Sequence, residues 1–136
     1  MNADERFVHR ESENIIETVE MIEELLALLD LSRYGVIALG TLLQNAYTGV
    51  ERILRFDIER CGKRVEKSES WHKDLLVKSR EEHLIDDSQF NAFGALLAFR
   101  HVHMHGYGHM LDEARLRGLA ADVPTVVREY LGSRKS

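Results

Sequence analysis

Residues 99–109 read Phe-Arg-His-Val-His-Met-His-Gly-Tyr-Gly-His and gather four of the chain's seven histidines beside Arg100 and Tyr107. An imidazole with an ordinary pKa of about 6.5 can take or give a proton near neutrality. A guanidinium offers a planar fork of donors that matches a phosphate. Arg100 and His105 together are therefore the minimum equipment for metal-independent phosphodiester cleavage. A base accepts the proton of an RNA 2′-hydroxyl as it attacks the adjacent phosphate, and a cation holds the charge that develops. Five residues of straight helix set such a pair about 140° apart around the axis. Two routes bring them onto one substrate. The helix can bend near Gly106 and Gly108, where irregular backbone is cheap, or two copies of the chain can meet and line one cleft together.

The same stretch admits other readings. His101, His105 and His109 are spaced to stack on one helix face, a spacing metal ligands also use. Di-metal helical bundles, however, carry two Glu-x-x-His pairs on inward faces. This chain has one, Glu69 to His72, and has no His-Glu-x-x-His. The plainest alternative is that the histidines and Arg100 only cap helices and meet solvent. His9, His72 and His83 lie in charged surroundings and read as surface residues. Cys61, the single cysteine, excludes an intrachain disulfide and has no recognisable catalytic partners.

The elements that must hold the stretch are helices. Ile15, Val19, Ile22, Leu26 and Leu29 give residues 5–31 the period of a packed stripe. Ser32 is placed to cap a second helix over 34–61, with Leu39, Leu43, Ala46, Val50 and Ile53 inward and Gly62 as its stop. Residues 62–70 read as a charged loop. Ser70 then caps a short helix from Trp71 to about residue 84, with Leu75 and Leu76 inward. Asp86, Asp87 and Ser88 are N-cap candidates for a fourth helix whose stripe is Phe90, Phe93, Leu97, Arg100 and Met104. Arg100 thus falls in phase with apolar positions, which is costly unless it meets a partner, an interface or a ligand. A fifth helical segment runs to about residue 131. Pro124 either kinks it or opens a new helix capped by Asp122.

No stretch alternates as a strand would. The expectation is an all-α fold, an antiparallel up-and-down bundle of four to five helices in one domain over residues 1–136. The net charge of −5 is unevenly placed: residues 1–30 carry nine acids against two bases, and the remainder fourteen against sixteen. A polyanion such as RNA would therefore avoid the first helix. Arg52, Arg55, Arg60, Lys63, Arg64 and Lys67 form a locally basic run, but interspersed acids make it read as a solvated face. With no apolar run of membrane-spanning length and no signal-like start, a cytoplasmic location and no membrane association are expected.

Arg100-His-Val-His-Met-His105-Gly-Tyr107 fits the R-x4-H-x-Y motif of the HEPN superfamily, and the continuation through Leu111, Asp112 and Arg115 resembles the HepT-type ribonuclease toxins. The resemblance implies a homodimer with facing motifs, acting as the metal-independent endoribonuclease toxin of a type VII (HEPN/MNT) toxin–antitoxin pair. It implies Arg100 and His105 as catalytic residues, RNA as substrate, and no metal or other cofactor. It also implies an MntA-like nucleotidyltransferase antitoxin that adenylylates Tyr107, a residue that otherwise supports the motif. Many members carry a small polar residue after the motif arginine. Here His101 stands there, in a position to help place substrate. A second implied possibility is a non-catalytic HEPN partner that positions a nucleotidyltransferase or binds nucleotide.

Overall fold

The computed structural model describes residues 2–105 and 112–134, residues 102–105 by their backbone alone. It is a helical bundle of α1 (Ala3–Leu26), α2 (Arg33–Arg60), α3 (Trp71–Glu81), α4 (Asp87–His105), α5 (Glu113–Ala120) and α6 (Val123–Ser133), with no strand among the described residues. No helix among them is long and apolar enough to cross a membrane.

The first turn of α1 is closed by Asn2, whose side chain accepts the Glu5 N–H at 2.8 Å. Ile15, Val19 and Ile22 face the core as their spacing predicts. The stripe does not extend to Leu29, which is 91% exposed, because α1 ends at Leu26. The reason is tertiary. Arg117 of α5 donates to the carbonyls of Leu26 at 3.3 Å and Leu28 at 2.8 Å, satisfying acceptors that a continuing helix would have used internally.

α2 is the central element. Ser32 caps it through the Gly35 N–H at 3.0 Å, and Gly62, at φ 77°, ends it in a conformation that favours glycine. Gly49 has a different purpose. A Cβ there would lie 2.5 Å from Ile15 Cγ1, so its absence allows α1 and α2 to approach. Leu39, Leu43, Tyr47, Val50, Leu54 and Ile58 are all buried.

α3 buries Leu75 and Leu76 as expected but stops at Glu81, with His83 at φ 59° carrying the chain away. Ser70 makes no side-chain cap bond; its hydroxyl turns to Asp74 instead. α4 opens with a reciprocal cap, in which Asp86 accepts the Gln89 N–H at 2.7 Å and Gln89 accepts the Asp86 N–H at 3.0 Å. On α4, Phe93 and Leu96 are buried, while Phe90, Leu97 and Phe99 pack partly buried against the core. The fifth segment divides into two helices. Pro124 sits in the first turn of α6, where its missing N–H costs nothing. The Asp122 side chain makes no cap bond there, whereas Asp112 caps α5 through the Ala114 N–H at 2.9 Å.

Candidate active site

Three helices bring one buried carboxylate and three donors together. Tyr47 and Glu51 lie one turn apart on α2 and share a face. Ile53 and Leu54 on one side and Leu43 and Ala46 on the other are buried, which puts that face in the core. Glu51 is 6% exposed. A carboxylate so placed is costly unless its oxygens are satisfied. Its Oε2 accepts the Tyr47 hydroxyl at 2.9 Å and lies 2.6 Å from His72 Nδ1 of α3. With Glu51 ionised, Nδ1 carries the proton and donates, leaving Nε2 for another task. Burial, together with the neighbouring Glu51 charge, pushes the Tyr47 phenol far above its ordinary pKa, so it remains a donor.

Arg100 of α4 completes the cluster. Its Nη1 stands 3.6 Å from Glu51 Oε1, close enough for attraction but too far for a hydrogen bond. That nitrogen is buried and makes no hydrogen bond among the described residues. The in-phase charge of α4 therefore meets the in-phase charge of α2, and the pairing leaves donor capacity unused. The side chain as a whole is 21% exposed, so an arginine held this way keeps a fixed charge at a partly open position, which suits a phosphate.

The structure treats the other expected site residues differently. His101 is exposed on α4. The backbone of α4 stays helical through His105, and the expected bend near Gly106 and Gly108 lies outside the described residues. The side chain of His105 and all of Tyr107 and His109 lie outside the described residues. Among the described residues, no group of three or more histidine, cysteine or acidic side chains is placed to hold a metal ion.

His72 is the main correction. It is not a surface residue: 27% of its side chain is exposed and it binds Glu51. Its ring centroid lies 3.7 Å from that of Trp71, over which the Arg55 guanidinium stands at 5.4 Å. Two signals in the sequence pointed to the cluster. His72 precedes the inward pair Leu75 and Leu76 by three and four residues, and Glu51 follows Tyr47 by four and precedes Leu54 by three. Each is a polar residue at a core phase, as Arg100 is.

The family model for HepT-like proteins matches residues 38–133, which run from within the first turns of α2 to the end of α6 and contain every member of the cluster. No curated protein and no solved structure gives a significant match. The chain belongs to the HepT-like family within the HEPN superfamily.

Proposed function

From that membership, we propose that the chain is an endoribonuclease toxin of a HEPN/MNT toxin–antitoxin pair, with Arg100 and His105 as its catalytic residues. The observation that carries this reading is the arginine at the centre of the candidate site: partly buried against Glu51, positively charged, and with no hydrogen bond at Nη1 among the described residues. In the proposed reaction His105 accepts the proton of an RNA 2′-hydroxyl. The 2′-oxygen bonds to the adjacent phosphorus, and the 5′-oxygen leaves with a proton from a second imidazole. The products are a 2′,3′-cyclic phosphate and a 5′-hydroxyl. Arg100 holds the charge on the phosphoryl oxygens. The reaction draws its nucleophile from the RNA itself and uses no metal. His101 helps to position the substrate.

A homodimer supplies the second imidazole. Five residues of straight helix separate such a pair by about 140° of rotation, and a facing copy restores convergence. Control is assigned to Tyr107. The partner nucleotidyltransferase moves AMP from ATP onto the phenol, the phenolic oxygen attacking the α-phosphorus as pyrophosphate leaves. The added anion competes with RNA for Arg100.

The test is purified protein incubated with total RNA in chelator. Cleavage is expected for the native chain and is lost in Arg100→Ala and in His105→Ala, by about 10²–10⁴-fold for loss of the proton shuttle. Unchanged cleavage in His105→Ala overturns the mechanism, and loss in chelator with recovery on zinc replaces it with metal chemistry. Intact mass after co-expression with a partner nucleotidyltransferase reports on Tyr107. An AMP-sized addition absent from Tyr107→Phe is expected, and full inhibition of an unmodified chain overturns control by adenylylation.

A further inference from the structure

Next to the Glu51 cluster, between the C-terminal half of α2, the loop over residues 61–70 and the start of α3, lies a cleft of about 470 Å³. That volume is in the range of small-ligand sites. We propose that this cleft is an RNA subsite, holding a nucleotide that flanks the linkage at Arg100; the inference rests on the ribonuclease reading.

The floor is apolar, made by Ile58, Val65, Trp71 and Leu75. The rim is cationic, made by Arg55, Arg64 and Lys67. Read as a linear segment, these basic residues are offset by acids. The cleft keeps three of these cations beside two carboxylates, Glu59 and Glu66. Arg55 reaches Glu59 at 3.4 Å, while Arg64 and Lys67 form no ion pair among the described residues. Two cations without an ion pair among the described residues therefore line the same cleft as the Trp71 ring. A bare anion such as inorganic phosphate has no use for that floor. A nucleotide does, because its base stacks on aromatic rings and on guanidinium planes while its phosphate takes the cations. Arg55 lies over the Trp71 ring at 5.4 Å and adds a guanidinium to the same cleft. The remaining carboxylate, Glu66, can accept from a base amino group and discourages purely anionic ligands.

The position of the cleft identifies the nucleotide as part of a strand. Trp71 lines the cleft, and the Trp71 ring touches the His72 imidazole. His72 holds Glu51, and Glu51 faces Arg100. The wall of the cleft and the proposed phosphate-binding arginine are thus joined by three successive contacts. On the ribonuclease reading, this adjacency makes a nucleotide of the strand held at Arg100 the occupant of the cleft.

Trp71 is the only tryptophan of the chain, so its emission reports on this cleft alone. The experiment titrates the full-length protein with a short single-stranded 2′-O-methyl oligoribonucleotide, whose blocked 2′-oxygen cannot attack. A saturable change in Trp71 emission is expected. The double variant Arg64→Ala/Lys67→Ala alters two exposed loop residues and is checked for native helicity by circular dichroism. It is expected to bind about tenfold more weakly, with a salt dependence shallower by about 1.4 in log–log slope, or about 0.7 per phosphate contact on a single strand. Unchanged affinity and slope in that variant overturn the subsite. Pyrophosphate or AMP producing the whole emission change, with no tighter binding by the oligonucleotide, also overturns it in favour of a free-nucleotide site. The two proposals fail separately. Native protein that binds as described but cuts no RNA removes the ribonuclease reading. Arg100-dependent cleavage with unaltered binding in the double variant removes the subsite.

Discussion

Two carboxylate–arginine pairs on α2, six residues apart, have opposite characters. Asp57 accepts both Nε of Arg134, at 2.8 Å, and Nη2, at 2.5 Å. This fork-to-fork pair ties the residue after α6 back to α2, and the Asp57 hydrogen bond raises the Arg134 pKa further. Glu51 spends one oxygen on Tyr47 and His72 and leaves Arg100 at 3.6 Å from the other. The first pair is saturated and holds the chain in place. The second is electrostatically matched but makes no hydrogen bond at Nη1 among the described residues, and its side chain stays partly exposed. The lesson is that an ion pair's geometry, rather than its presence, separates a structural arginine from a candidate for chemistry.

The sharpest way to break this contrast is to remove each arginine. Arg100→Ala is expected to lower single-turnover RNA cleavage by at least about 10²-fold, the usual effect of losing a donor to a developing oxyanion. Arg134→Ala is expected to leave cleavage per folded molecule unchanged and to cost about 2 kcal/mol of stability, by stranding a nearly buried Asp57. Denaturant melts and cleavage rates together check both. Equal loss of cleavage in the two variants ends the distinction.

Glu51 provides a second, smaller separation. Glu51→Ala leaves the Tyr47 hydroxyl and His72 without their acceptor and Arg100 without its counter-charge, and is expected to destabilise by about 3 kcal/mol. Glu51→Gln keeps an acceptor oxygen. It should restore most of the melting temperature while cleavage stays reduced about tenfold, because the attraction that positions Arg100 is gone. A glutamine variant with both native stability and native rate makes Glu51 a packing residue only.

The smallest effect concerns the tyrosines beside the two pairs. Burial, first of all, raises the pKa of both Tyr47 and Tyr130 above the ordinary value. Both are neutral when folded and ionise in the unfolded chain above about pH 10. The unfolded state then binds fewer protons, so stability is fully present below pH 10 and falls as pH rises, by about 1.4 kcal/mol per pH unit for each tyrosine. Tyr130→Phe is expected to halve that slope. It should also stabilise the protein at neutral pH by up to about 1 kcal/mol, since the Tyr130 hydroxyl is buried with no hydrogen bond among the described residues. Alkaline denaturation followed by circular dichroism measures both. A loss of stability at neutral pH instead points to a partner for that hydroxyl.

Local chemistry was legible in the sequence. The apolar period predicted α1 and α2 and their core faces, Ser32 and Gly62 marked the limits of α2, and the phase of Arg100 required a partner. Those features depend on neighbours within a turn or two, where spacing determines geometry. Long-range pairing was not legible. The end of α1 depends on Arg117, about ninety residues away, and the requirement for Gly49 depends on Ile15 across a helix crossing. Glu51 and His72 were each readable as polar residues at core phases, yet in linear order they sit among charges and look solvated. Their partnership spans 21 residues and a loop, and only the folding of α3 onto α2 brings Nδ1 to the carboxylate. The same docking lays Trp71 beneath Arg55. Helical periodicity assigns a face to each residue, but which faces meet is decided by packing among helices distant in the chain.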